Sequence, residues 1–144
     1  MQVLQILKRK GDDGVITVLP EDTLADVSQV LSSRKIGAVV VSSDGKHIDG
    51  IVSERDIVRE LGRKGAACLS LPVKTFMSKK ISTCTRKTTT VEVLEMMSAG
   101  NFRHMPVVAE DEMIGLISIR DVASTRVEEL HMEKEALTGM IMGN

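Results

Sequence analysis

The heptapeptide GIVSERD at residues 50–56 recurs as GLISIRD at residues 115–121. Each copy contains a Gly, two β-prone aliphatic residues, a Ser and, three residues after the Ser, an Asp. Apolar residues follow at helical spacing, so the pattern predicts a short strand that runs directly into a helix. Because the unit occurs twice, the fold must accommodate two similar halves.

The duplication extends beyond the heptapeptide. An offset of 66 residues aligns the two halves up to the loop at 42–49, and an offset of 65 aligns them afterwards, which implies one insertion in a turn. Each half predicts the order strand, helix, strand, strand, helix. The first strands are expected at 15–19 and 81–85, and the helices after them begin at Thr23 and Thr89, each with an acid at capping-box spacing.

The two halves are expected to form an α+β fold in which their sheets pack together about a pseudo-twofold axis, because a half of about 50 residues is marginal alone. Asp44 and Gly45 favour a tight hairpin turn, and Pro106 predicts a strand-start or edge position. The predicted boundaries are a first repeat with an N-terminal helix at 1–61, a linker at 62–72, a second repeat at 73–126 and a C-terminal helix and tail at 127–144.

Composition excludes several classes of function. The net charge is −1 and Phe76 and Phe102 are the only aromatic residues, so neither a general attraction to nucleic acid nor a base-stacking platform is expected. The longest apolar run, at 36–41, is too short to cross a membrane. Cys68 and Cys84 lack zinc-site spacing and are expected to be free thiols in a reducing, cytoplasmic setting.

The repeated junction has two interpretations. Ser53 with Asp56, and Ser118 with Asp121, have the spacing of helix caps, which is a purely structural role. The same carboxylates are also suited to accept hydrogen bonds from two ribose hydroxyls, while Arg55 or Arg120, lying between the Ser and the Asp, is suited to bind phosphate.

A second candidate element is the turn that enters the second strand of each half. In the first half Gly37 and Ala38 are small, so a flat ring can approach the backbone, and in the second half their counterparts Arg103 and His104 are cationic or nearly so. Ile36 and Phe102, which precede these pairs, are also candidate ligand contacts. An adenine would lie against aliphatic and backbone groups near the first strands, at Thr17, Val18, Thr83 and Cys84. The small residues of the first half leave space for a ring, and the second half supplies positive charge. This combination suits a phosphorylated ligand between the repeats.

These motifs resemble those of tandem CBS domains, the paired unit also called a Bateman module. The resemblance rests on TVLPEDTLADV, on IGAVVV against FRHMPVV, which adds Met105 and Pro106 to the candidate site, and on the repeated heptapeptide. It implies ligands such as AMP, ADP, ATP, S-adenosylmethionine or NADH, with ribose at Asp56 and Asp121 and phosphate at Arg103 and His104. Arg120 departs from the family pattern and predicts a second cleft that is either more cationic or partly filled.

The sequence therefore predicts a regulatory module that binds AMP or another adenine nucleotide, forms a homodimer and acts on an unidentified protein. No catalytic role is expected, because His47, His104 and His131 lack a partner at any recognisable catalytic spacing. The alternative is an interaction scaffold that dimerises independently of ligand. Neither a membrane nor a nucleic acid is an expected partner.

Overall fold

The computed structural model describes residues 1–11 and 14–142. Helices and strands follow one another through these residues in the order α1 (Val3–Lys10), β1 (Thr17–Val18), α2 (Leu24–Arg34), β2 (Ala38–Val41), β3 (Gly50–Ser53), α3 (Glu54–Lys64), α4 (Thr90–Gly100), β4 (His104–Ala109), β5 (Glu112–Ser118) and α5 (Ile119–Ile141). Two short 3₁₀ turns, Gly65–Ser70 and Val73–Thr75, lie between α3 and α4. The predicted α+β class is confirmed.

The chain divides into two compact units. The first unit contains Gly14–Ser82 and Ala109–Ile114. The second unit contains Thr83–Val108 together with the N-terminal and C-terminal segments. The helix α1, which precedes the first repeat in sequence, therefore belongs to the unit that holds the second repeat.

The first unit is built on a three-stranded sheet in the order β1, β2, β3. β1 runs parallel to β2, and β2 runs antiparallel to β3 with Ala38 opposite Ser53. All four residues of β2 are buried, and Val39 and Val41 belong to the same core cluster as Leu24 and Val27 of α2. Of the first predicted strand, 15–19, only Thr17 and Val18 form a strand.

The two hairpins have different turns. In the first unit β2 and β3 are joined by the loop 42–49, and a tight turn at Asp44 and Gly45 does not form. One carboxylate oxygen of Asp44 accepts hydrogen bonds from the backbone N–H groups of Lys46 and His47, both at 2.8 Å, which organises the longer loop. β4 and β5 are joined by Glu110 and Asp111, whose φ angles of 50° and 66° match a two-residue type I′ turn.

The predicted strand at 81–85 is wrong. Cys84 forms a single parallel bridge with Val107, and no strand extends from it within the described residues. The reason is Pro106, which is the third residue of β4 and accepts from the Cys84 N–H at 3.1 Å. The next bond of a parallel ladder requires an N–H at position 106, which proline lacks. Its counterpart in the first half, Val40, has that N–H.

The predicted caps of the first helix in each half are present. Thr23 accepts from the Asp26 N–H at 3.1 Å and its own N–H donates to the Asp26 carboxylate at 3.0 Å, which is a complete capping box at the start of α2. At the start of α4, Thr89 accepts from the Glu92 N–H at 3.1 Å, which is one half of that arrangement.

In the second unit α5 packs against α4 and α1. The Glu129 carboxylate of α5 is buried and accepts from the Thr90 hydroxyl and from Arg126, both at 2.8 Å. The side chains of Val3 and Ile6 bury α1 in the same unit. None of the helices in the described part of the chain combines the length and apolar character needed to span a bilayer.

The glycines of the repeated heptapeptide are required by close packing. A Cβ at Gly50 would lie 2.5 Å from the Met77 sulfur and 2.9 Å from the Met77 Cβ. A Cβ at Gly115 would lie 2.6 Å from Cδ2 of Leu7. Both glycines are buried, so each strand admits a side chain from a neighbouring segment directly against its backbone.

We expect Gly50→Ala to lower the free energy of unfolding by about 1–3 kcal/mol, because the Met77 Cβ is fixed by its backbone and cannot rotate away. Gly115→Ala should lower the free energy of unfolding by less, since the distal methyl of Leu7 can move. Gly62→Ala is the matched control: it lies in α3 with open space around it and should stabilise by about 0.5–1 kcal/mol. Urea unfolding measures all three, and equal costs at Gly50 and Gly115 would contradict the packing argument.

Candidate functional site

The junction of the first unit is a capping box at the start of α3. The Asp56 N–H donates to the Ser53 hydroxyl at 3.3 Å, and the Ser53 N–H donates to Oδ2 of Asp56 at 2.8 Å. The Ser53 hydroxyl is also 3.0 Å from the same carboxylate oxygen. The structural interpretation of this Ser and Asp is therefore confirmed in the first half.

The junction of the second unit repeats this geometry at the start of α5. The Asp121 N–H donates to the Ser118 hydroxyl at 3.2 Å, and the Ser118 N–H donates to Oδ2 of Asp121 at 2.9 Å. In both halves one oxygen of the carboxylate is held by the helix start. The further partners of the carboxylate differ between the two halves.

In the first unit, Oδ1 of Asp56 is occupied by an arginine of the same helix. Arg59 donates from Nη2 to this oxygen at 2.8 Å, so both oxygens of the carboxylate have partners. The spacing of three residues places the two side chains on the same face of α3. A ribose hydroxyl would have to compete with this guanidinium.

In the second unit, the cation at the carboxylate comes from α1. Lys10 Nζ lies 2.8 Å from Oδ2 of Asp121 and also donates to the Leu116 carbonyl at 3.1 Å. Burial alone would raise the pKa of Asp121, but the hydrogen bonds from Lys10 and Ser118 and the charge of Lys10 together lower it below its ordinary value. The Asp121 carboxylate is therefore ionised at neutral pH.

The turn into the second strand lies beside the junction in each half. The Gly37 carbonyl accepts from the Glu54 N–H at 2.9 Å, and the Arg103 carbonyl accepts from the Ile119 N–H at 2.7 Å. These two bonds are equivalent under the duplication. The structure therefore brings the two predicted elements of each candidate site together at the backbone level.

A groove opens along the start of α3 in the first unit and beside Asp121 in the second. The groove of the first unit is about 460 Å³ and is lined by Glu54, Arg55, Val58 and Arg59. The groove of the second unit is about 520 Å³ and is lined by Ile6, Arg9, Lys10, Arg120, Asp121, Ser124 and Thr125. Both volumes lie within the usual range for small-molecule sites.

Several of the predicted adenine contacts have side chains in the core. Val18 and Met105 are buried, and burial raises the pKa of the Cys84 thiol to about 11, so it is a packed, unreactive group. Thr17 and Thr83 are more accessible. β1 is separated from β3 by β2, so Thr17 does not neighbour Ser53 in the sheet.

The remaining predicted residues lie at the entry to the second strand. Ala38 is buried opposite Ser53, and Ile36 packs against the core of the first unit. In the second unit, Arg103 is exposed and His104 starts β4. The Phe102 ring lies against Gly100, where an added Cβ would meet Cε1 at 2.4 Å. The ring thus covers the end of α4.

Sequence reasoning missed the residues that distinguish the two grooves. Arg59 follows Asp56 by three residues, and this helical spacing was a usable signal for the ion pair. Arg9 and Lys10 lie more than 100 positions before their partners Thr125 and Asp121. No local pattern points to such a pairing, because it depends on where α1 packs.

Comparison with known families accounts for the duplication. The sequence profile of the CBS domain matches residues 5–63 and 73–128. The chain belongs to the CBS domain family. The predicted resemblance to tandem CBS domains is thereby confirmed, and CBS pairs are regulatory modules.

Three relatives support this assignment. A solved CBS-domain protein of Agrobacterium tumefaciens is 39% identical with a TM-score of 0.84, and the match covers 88% of this CBS pair and 99% of that chain. A CBS domain protein of Pyrobaculum aerophilum, solved with AMP, is 27% identical with a TM-score of 0.73, covering 84% and 89%. A mitochondrial CBS domain protein of Arabidopsis thaliana is 30% identical, covering 98% of this chain and 72% of the relative.

The same pair also occurs in longer proteins. This chain spans 26% of one further CBS domain protein of Arabidopsis thaliana and 24% of another. A CBS pair of this length is therefore found as a part of larger chains as well as in proteins of similar size.

We expect the free energy of unfolding of Asp121→Asn to depend less on pH in the acid range than that of the wild type. The pKa of Asp121 is lowered in the folded CBS pair, so the unfolded chain, with an ordinary value of about 3.9, binds the proton first as the pH falls. The stabilisation is complete above about pH 5 and is lost as the pH falls through the lowered folded pKa. Urea unfolding from about pH 2 to pH 7 should show a steeper loss in the wild type.

The control for this measurement is Asp26→Asn. Asp26 forms the same cap bonds in α2, and no lysine pairs with it in the described part of the chain. Added salt should therefore reduce the difference between wild type and Asp121→Asn more than the difference between wild type and Asp26→Asn. Parallel pH curves for wild type and Asp121→Asn would contradict the assignment.

Proposed function

We propose that this CBS pair is a ligand-sensing regulatory module that binds an adenine nucleotide. The observation that carries the proposal is the second junction, where the ionised Asp121 carboxylate borders a groove of about 520 Å³. Oδ2 is held by Ser118 and Lys10, and Oδ1 makes no hydrogen bond within the described residues. A carboxylate oxygen held in this way is suited to accept from a ribose hydroxyl.

The class of ligand is supported by a relative. The Pyrobaculum aerophilum protein, at 27% identity, was solved in complex with AMP. AMP, ADP and ATP are therefore the first candidates, and NADH and S-adenosylmethionine are the next. No catalytic step is part of the proposal. Occupancy is communicated to a regulated protein through contacts of the module, in a cytoplasmic setting.

We expect a cognate nucleotide to raise the stability of the protein. Binding to the folded state alone contributes about 2.7 kcal/mol at a ligand concentration of 100 Kd. Thermal unfolding with AMP, ADP, ATP, NADH and S-adenosylmethionine should therefore show an upward shift of several degrees for at least one of them. No shift with any member of this panel would overturn the proposal and favour the ligand-independent scaffold.

Two matched variants locate the ribose. Asp121→Asn should weaken binding of the responding nucleotide by at least about tenfold, because a charge-assisted acceptor is lost. Asp56→Asn should have a smaller effect, since both oxygens of that carboxylate already have partners. Asp26→Asn controls for the loss of a capping carboxylate. Equal losses at Asp56 and Asp121 in isothermal titration calorimetry would argue against an unequal pair of sites.

The homodimer is supported by the exposed face of α5. Four apolar residues lie at heptad spacing, with exposures of 67%, 47%, 59% and 76% for Val127, Leu130, Leu137 and Ile141. Lys134 occupies the remaining position of this stripe. Such spacing is typical of helices that pair with a second helix, and a second copy of the chain supplies an identical stripe.

We expect the double variant Leu130→Glu, Leu137→Glu to be more monomeric than the wild type. Like charges would then replace the apolar contacts along the α5 stripe. Sedimentation equilibrium measures the change, and Ala136→Glu, which adds a charge off the stripe, is the control. An unchanged dimerisation constant in the double variant would remove α5 from the interface.

A further inference from the structure

The groove of the second unit concentrates positive charge beside the Asp121 carboxylate. Three of its lining residues are cationic: Arg9 and Lys10 at the end of α1, and Arg120 in the first turn of α5. Asp121 is the only acid among the described residues that line it. The remaining polar lining consists of the hydroxyls of Ser124 and Thr125, which are suited to an anionic group.

The three cations differ in how far they are already engaged. Arg9 donates to the Thr125 hydroxyl at 3.0 Å and pairs with Glu128 at 2.7 Å, so its position is fixed. Lys10 uses two of its three N–H donors, on Asp121 and on the Leu116 carbonyl. The third donor is left for a further acceptor. Arg120 is exposed and makes no ion pair within the described residues.

The corresponding groove of the first unit lacks this arrangement. Under the duplication Arg59 corresponds to Ser124, and Glu54 corresponds to Ile119. The first groove therefore contains an acid at a position whose counterpart, Ile119, is not among the residues that line the second groove. It also contains an arginine that closes the carboxylate, where the second groove contains a small hydroxyl residue.

We propose that Lys10 and Arg120 form the phosphate subsite of the second unit, so that α1 is part of its ligand site. The third N–H of Lys10 and the guanidinium of Arg120 hold the phosphate, while Oδ1 of Asp121 accepts from the ribose. The ribose part rests on the function proposed above. The phosphate part rests on the groove itself and replaces Arg103 and His104 as the predicted anion contacts.

This arrangement selects a class of ligand. A neutral ligand gains no charge attraction from either cation, and the cationic sulfonium of S-adenosylmethionine is repelled by both. The second unit should therefore prefer phosphorylated nucleotides over adenosine and over S-adenosylmethionine. Binding should also weaken as salt is added, because Lys10 and Arg120 are partly exposed to solvent.

The test compares AMP with adenosine by isothermal titration calorimetry, and maps inorganic pyrophosphate by amide chemical shifts. The variants are Lys10→Met, which keeps the length of the side chain, Arg120→Gln, and Arg103→Gln as the matched control. We expect Lys10→Met and Arg120→Gln each to weaken the binding of AMP by about tenfold or more. The affinity for adenosine should change by less than about threefold in both variants. The affinity of Arg103→Gln for AMP should stay within about threefold of the wild-type value. Pyrophosphate should change the amide chemical shifts of residues 10, 120 and 124.

Three other outcomes would overturn the phosphate subsite, the proposed function or both. If AMP binds but is weakened by Arg103→Gln and not by Arg120→Gln, the proposed function stands and this subsite is wrong. If pyrophosphate shifts residues 10, 120 and 124 but no nucleotide of the panel binds, the subsite stands and the adenine nucleotide is wrong. If neither pyrophosphate nor a nucleotide binds, both are overturned. Circular dichroism melting confirms that each variant is folded under the titration conditions.

Discussion

The start of a helix leaves backbone N–H groups without partners, and the second helix of each repeat depends on how these groups are satisfied. In both repeats a Ser at the cap position and an Asp three residues later exchange bonds with each other's backbone. This fixes the point at which β3 becomes α3 and β5 becomes α5. It also holds one oxygen of each carboxylate, and the two sites differ in the cation that joins it: Arg59 at Oδ1 of Asp56, and Lys10 at Oδ2 of Asp121.

Much of this could be predicted from the sequence because the signals are local. The capping spacing at Ser53 and Ser118 involves residues three positions apart, and the pairing of the second and third strands follows from a short connection. The close approach at Gly50 and Gly115 was also within reach, because a glycine at a strand position often marks tight packing. Both the capping interpretation and the ligand interpretation of the motif remain compatible with the geometry.

The errors arose where distant residues decide the outcome. The strand expected at 81–85 has suitable composition, but a ladder needs donors from its partner, and Pro106 removes the one that would extend the pairing beyond Cys84. The cations at the second carboxylate were missed because Lys10 meets Asp121 only through the packing of α1 on α5. Sequence periodicity describes which face of α1 is apolar but not which helix it meets.

The duplication explains why the two carboxylates differ. Both halves keep the Gly, Ser and Asp on which the strand, the turn and the helix depend, so the fold tolerates change only at the neighbouring positions. One such change, Arg59 in the first half against Ser124 in the second, decides whether an arginine of the same helix closes the carboxylate. With a small residue at 124, the second carboxylate faces a groove, and α1 supplies the cation instead. Two halves with the same junction thus carry unequal sites, because the cap constrains the backbone and leaves the groove free to diverge.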